Sequence, residues 1–192
     1  METRKKILTS FLLLAVLSVS AQPIVENRKG NLRTQGNLAG GYLFSQKAAG
    51  AYLTGDFDLF LDEQVSFTGS GWYGFKVSDN ATGLIRNHSI FSGFNYHPVK
   101  KGRWDPFIGL SPGLGIAELK YADSEGISQS TIGLAPLISG EIGCNYYVGS
   151  VFNLFVKARG VTGQARGDAP TPTRLDEIKI TAGLGWNLRL WK

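Results

Sequence analysis

The chain has 192 residues, a formal net charge of +5 and a mean hydropathy of −0.04. Its length suits one domain, and its single cysteine, Cys144, excludes an internal disulfide framework. No run of basic residues marks a nucleic-acid surface, and no apolar stretch after the N-terminal segment approaches the roughly 18 residues of a membrane-spanning helix.

Residues 1–21 read as a secretory signal. Arg4, Lys5 and Lys6 form its positive region, Ile7 to Val19 its apolar region, and Val19-Ser20-Ala21 its small-residue cleavage site. Removing three basic residues and Glu2 lowers the net charge by two, so much of the basicity belongs to the leader. Residues 22–36 are polar and read as a short tail on the periplasmic side.

From there the chain alternates with period two, the signature of half-buried strands. The first strand is expected near Asn37–Ser45, with Leu38, Tyr42 and Phe44 on one face. The second spans Ala51–Leu61, with Leu53, Phe57, Leu59 and Leu61 opposite Asp56 and Asp58. The third, Val65–Val77, sets Val65, Phe67, Tyr73, Phe75 and Val77 against Ser66, Thr68, Ser70 and Lys76. The fourth, His88–His97, carries Ile90, Phe94 and Tyr96; the fifth, Phe107–Leu119, carries Ile108, Leu110, Leu114 and Ile116. The sixth, Leu134–Val148, sets Ile138, Ile142, Cys144 and Tyr146 against Ser139, Glu141 and Asn145. The seventh, Phe152–Gly163, sets Phe152, Leu154 and Val156 against Asn153, Lys157 and Arg159. The last, Ile178–Lys192, sets Ile178, Ile180, Leu184, Trp186, Leu188 and Leu190 against Lys179, Thr181, Asn187 and Arg189.

Connections 62–64, 99–105 and 149–151 are short, whereas 78–87, 121–131 and 164–177 are longer and rich in Gly, Ser, Asp, Thr and Pro; 46–50, on the same side as these, is short. Short turns at one end and longer loops at the other mark an all-β, eight-stranded antiparallel up-and-down transmembrane β-barrel over residues 37–192. A soluble barrel with its apolar face inward shares the period. The polar face separates the two: it is rich in small residues and carries charges of both signs, which suits a narrow interior. Asp56, Asp58, Lys76, Glu141, Lys157, Arg159, Lys179 and Arg189 are expected to form an interior charge network, with hydrated rim positions as the alternative. Tyr42, Phe44, Tyr73, Phe75, Tyr96, Tyr146 and Phe152 fall toward strand ends, where amphipathic rings favour the membrane–water boundary.

Gly109-Leu110-Ser111-Pro112-Gly113 spells G-x-S-x-G, but a nucleophile elbow needs a strand-to-helix turn and later histidines. Here the segment lies within a strand pattern, and His88 and His97 both precede it. His88 and Ser89 are neighbours, so they face opposite sides of a strand. Two histidines and one cysteine form no metal cluster. No catalytic residue, metal or cofactor is expected.

The alternating pattern resembles the small OmpA/OmpX-type outer-membrane barrels over Asn37–Lys192. Gly185, Leu188 and Leu190 resemble the terminal-strand signal read by the barrel-assembly machinery; Leu184 and the terminal Trp191-Lys192 depart from it. The resemblance implies an exported monomer in the outer membrane, surrounded by its lipids, with a structural, envelope-integrity or surface-interaction role and loops available to an extracellular ligand. A narrow pore for small solutes, or a barrel enzyme acting on lipid A, are the alternatives.

Overall fold

The computed structural model describes residues 28–75, 77, 83–122, 128–166 and 172–191. The expected signal segment, the start of the tail and Lys76 lie outside them. Nine strands run along the described chain: β1 Asn31–Leu43, β2 Ala48–Phe60, β3 Val65–Gly74, β4 Leu84–Tyr96, β5 Trp104–Ala122, β6 Ser128–Tyr147, β7 Phe152–Ala165, β8 Thr173–Arg174 and β9 Glu177–Arg189. Each long strand pairs antiparallel with its sequence neighbour, and β9 pairs with both β7 and β1. The sheet therefore closes into an eight-stranded barrel, with β8 a two-residue ladder beside the end of β7. Ten to 20 residues per long strand equal or exceed the roughly 9–11 that a tilted strand needs to cross a bilayer.

The two faces differ in chemistry. Leu38 is 72% exposed and Ile132 68%, whereas the side chains of Arg33, Arg159 and Lys179 are at most 1% exposed. Charge inside and hydrocarbon outside is the reverse of a soluble barrel; the outward band requires lipid. The outward rings cluster at the two ends. Tyr42 meets Phe44 at 5.5 Å and Tyr73 meets Phe75 at 5.9 Å near the loop end. Trp104 meets Tyr146 at 4.9 Å and Phe152 meets Trp186 at 6.3 Å near the short-turn end. Tyr96 is also exposed there.

Beyond shifts of a few residues at other strand ends, such as β4 starting at Leu84 and β2 at Ala48, three elements differ from the sequence reading. β1 starts at Asn31, so residues 31–36 are strand. Asn31, Arg33 and Gln35 look like tail, yet they alternate with Leu32, Thr34 and Gly36, and Arg33 and Gln35 are buried inside. β3 ends at Gly74, after which Val77 turns inward and is buried, its N–H donating to Ile85 O at 2.9 Å. Within 121–131 the described residues are strand: Ala122 pairs with Ser128, so β5 and β6 extend beyond their expected ends. Above the lipid both faces of a strand are free to be polar, so the period-two signal fades there.

Glycine is required where walls approach closely. A Cβ on Gly93 would lie 2.2 Å from Leu110 O, and one on Gly74 would lie 2.3 Å from Asn87 O. Gly102, in the turn between β4 and β5, has φ +120°.

Candidate functional site: the barrel interior

The interior is filled in three levels. At the short-turn end, Arg33 of β1 donates to Asp58 Oδ2 of β2 (2.9 and 3.1 Å) and to Asp105 Oδ2 of β5 (2.8 Å). Arg28, just before β1, donates to Asp105 Oδ1 (2.8 Å) and to Val99 O in the β4–β5 turn (2.8 Å). Its guanidinium lies 5.6 Å from the Tyr147 ring, and that of Arg33 lies 5.2 Å from the Phe60 ring. Two guanidiniums thus balance two carboxylates within a volume closed to solvent. Bidentate guanidinium geometry suits this task, because one rigid fork satisfies acceptors on two walls.

His97 joins the same cluster. Its Nδ1 lies 2.8 Å from Asp105 Oδ1 and its Nε2 lies 3.1 Å from Ser66 Oγ. Ser, His and Asp in that order are the parts of an acyl-transfer triad. All three are 0% exposed, and the His97 ring is flanked by Phe60 at 4.8 Å and Phe107 at 5.7 Å. A triad needs room for an acyl group beside its serine and donors for an oxyanion. Here Ser66 is fully buried and the His97 ring is packed between Phe60 and Phe107, and the line of hydrogen bonds ties β3, the β4–β5 turn and β5 together.

At mid-height, Lys157 Nζ meets Asp56 Oδ2 at 2.8 Å, while Arg159 donates from Nη2 to Glu141 Oε2 at 2.6 Å and from Nη1 to Ser70 Oγ at 2.9 Å. Nearer the loops, Tyr52 OH donates to Glu177 Oε1, and Lys179 Nζ lies 3.3 Å from both Glu177 Oε2 and Ser89 Oγ. Trp72 sits between two cations, Lys179 Nζ at 4.7 Å and the Arg159 guanidinium at 5.6 Å from its ring, an arrangement that gains cation–π attraction in a dry site.

Over this lies an apolar stopper. Leu43, Leu84, Ala117, Leu119, Leu137 and Leu175 are buried inside the barrel toward the loop end. The segment before β9 is drawn over it: Leu175 N–H donates to Gly163 O at 2.9 Å, and Gln46 Nε2 donates to Arg174 O at 2.8 Å. The expected interior was polar throughout; its loop-end part is hydrocarbon.

Of the residues expected in the network, Asp56, Asp58, Glu141, Lys157, Arg159 and Lys179 point inward and pair as described, though in separate levels instead of one web. Arg189 is exposed at the end of β9. There β9 still pairs with Asn31 of β1 while its ladder with β7 has ended at Trp186, and at this rim inward parity no longer means burial. Gly185 faces inward, Leu188 and Leu190 outward. Tyr42, Phe44, Tyr73, Phe75, Tyr96 and Phe152 are exposed and Tyr146 is half-exposed on the outer face. Ser111 is buried inside a continuous strand with its Oγ lacking a protein partner, so no nucleophile elbow exists there. His88 lies on the outer face against Tyr73, and its Nδ1 accepts the Gly74 N–H at 3.2 Å.

Arg28, Arg33, His97, Asp105, Tyr52 and Glu177 were not expected in the site. For five of them the signal was present: continuing the alternation from Gln35 to Arg33, Asn95 to His97, Phe107 to Asp105, Thr54 to Tyr52 and Lys179 to Glu177 keeps each on the inward face. Arg28 precedes the strand and had no such signal.

No protein-family model matches the chain, and no characterised protein matches it by sequence. Solved structures do match in shape. The outer membrane protein OprG from Pseudomonas aeruginosa aligns with a TM-score of 0.56 at 14% identity, over 87% of this chain and 100% of that one. Neisserial surface protein A aligns at 0.52 and 12% identity, over 83% and 96% of the two chains. Ail, the attachment invasion locus protein of Yersinia pestis, aligns at 0.51 and 12% identity, over 83% and 99%. The chain has the fold of the small eight-stranded outer-membrane β-barrels.

Proposed function

We propose that this protein is a non-enzymatic, non-conducting barrel of the outer membrane, delivered there after cleavage of residues 1–21 and inserted as a monomer by the barrel-assembly machinery. Its role is structural, in envelope integrity, or adhesive, through its loops. The observation that carries this reading is the filled interior: ion-paired levels beneath an apolar stopper leave a barrel whose outer surface and loop end do the work. The short-turn end then faces the periplasm, as in a chain threaded from that side.

Deleting the gene and measuring detergent and bile-salt sensitivity, together with adhesion, tests the role. Raised sensitivity or lost adhesion, restored by the intact gene, is expected; no change in either overturns it. An enzyme acting on lipid A would instead change the lipid A mass spectrum between cells with and without the protein.

A further inference from the structure

On the outer face of β4 to β9 runs an apolar groove of about 790 Å³. Leu110, Gly140, Gly160 and Ile178 form one register row across it. A side chain at Gly160 would meet nothing within 4 Å, and one at Gly140 only Gly109 O at 3.9 Å, so the trough is open because these residues lack Cβ atoms. Ile108 and Ile142 belong to its wall, and Tyr96 lines its short-turn end. From Tyr96 the chain passes at once into the β4–β5 turn, where Lys100 and Lys101 are both exposed.

That turn is held from within. Arg28 binds Val99 O, Gln64 Nε2 donates to Pro98 O at 3.3 Å, and Tyr147 N–H donates to Arg103 O at 2.8 Å. With these carbonyls taken up by hydrogen bonds, the turn presents its lysine side chains to solvent. Asp105 is neutralised by Arg28 and Arg33; in the adjoining β2–β3 turn, Glu63 accepts the Arg28 backbone N–H at 3.1 Å and Asp62 is exposed. Exposed Trp104, its ring 4.9 Å from that of Tyr146 and tilted 56° to it, follows the lysines in the chain at the depth where rings meet headgroups.

We propose that groove and turn together form a binding site for an anionic phospholipid of the leaflet on the short-turn side, its phosphate at Lys100 and Lys101 and one acyl chain along the Gly140–Gly160 trough. Charge complementarity selects the occupant: a cationic cluster at the open end of a hydrocarbon channel matches a negatively charged headgroup joined to a chain. A basic side chain at a membrane surface favours anionic lipid by about fivefold.

The test is lipid retention by the full barrel released from nanodiscs of mixed phosphatidylglycerol and phosphatidylcholine, read by native mass spectrometry. Gel mobility of unheated samples confirms that each variant is folded. The wild type is expected to retain phosphatidylglycerol over phosphatidylcholine by fivefold or more. Lys100→Gln with Lys101→Gln should bring that ratio near one, and Gly140→Leu with Gly160→Leu should lower retention of both lipids while keeping the ratio. Equal retention by the wild type, or an unchanged ratio in the lysine variant, overturns the proposal. So does displacement of the lipid by glycerol 3-phosphate, which would mark a headgroup site without a chain groove. Lysine-dependent pull-down by peptidoglycan sacculi without any phosphatidylglycerol preference would assign the turn to the cell-wall glycan instead. Should the glycine variants fail to fold, the lysine variant alone decides.

Discussion

Arg33→Met is the sharpest probe of the interior. Methionine keeps part of the aliphatic stem and deletes the guanidinium, together with its contacts to the Phe60 and Phe107 rings. Asp105 would still hold Arg28 and His97. Asp58 would not fare as well: both charged bonds to its Oδ2 come from Arg33, and what remains at Oδ1 is neutral, Asn95 Nδ2 at 2.9 Å and Ser66 Oγ at 3.4 Å. Stranding one buried partner of an ion pair costs about 3–5 kcal/mol, or roughly two to three and a half decades in the folding equilibrium at about 1.4 kcal/mol per decade. Urea unfolding of the barrel in phosphatidylcholine vesicles, followed by tryptophan fluorescence and by unheated gel mobility, reads that loss. Adding Asp58→Asn removes the stranded charge, so the double variant should recover about 0.5–3 kcal/mol relative to additivity. Lys120→Met, at an exposed side chain, should stay within about 0.5 kcal/mol of wild type. An Arg33→Met barrel within about 1 kcal/mol of wild type, or a double variant no better than the sum of its singles, would refute a plug held by ion pairs.

Gly93→Ala should destabilise by about 1–3 kcal/mol, because its Cβ meets backbone that cannot yield, whereas Gly160→Ala opens onto free space and should be near neutral in the same urea titration. Trp72→Ala removes a buried ring beneath the stopper and the face shared by Lys179 and Arg159; a loss of about 3–5 kcal/mol is expected, and less than about 1 kcal/mol would contradict its place there. A fluorophosphonate probe should leave Ser66 unlabelled in the folded barrel, as judged by peptide mass spectrometry; stoichiometric labelling at Ser66 would show that the Ser66–His97–Asp105 line is reactive and reachable.

Alternation made the barrel legible because lipid enforces it: every outward residue between the girdles must be apolar or small. That constraint lapses at three places, and the reading of the sequence lapsed with it. Above the lipid, Ser128 to Thr131 has no apolar face to keep, so strand resembled loop. At the rims, Arg33 and Asp105 alternate correctly but sit among turn-like residues, so the ion pairs that close the short-turn end were divided between tail and turn. Inside, a narrow wall accepts either polarity provided partners match. Leu43, Leu84, Leu119 and Leu175 share the interior with Lys179 and Glu177, and no period distinguishes an inward leucine near a strand end from an outward one. Pairings across the barrel, such as Arg33 with Asp105 or Asp56 with Lys157, depend on the stagger between strands, which a single sequence does not display.

The ion-paired levels and the apolar stopper block the barrel along its axis, so conductance across a planar bilayer is the decisive measurement. Folded protein should produce no channel steps at any applied voltage, in the wild type and in Lys120→Met alike. Reproducible steps from the wild type, scaling with salt concentration, would show a continuous aqueous path and contradict the plug.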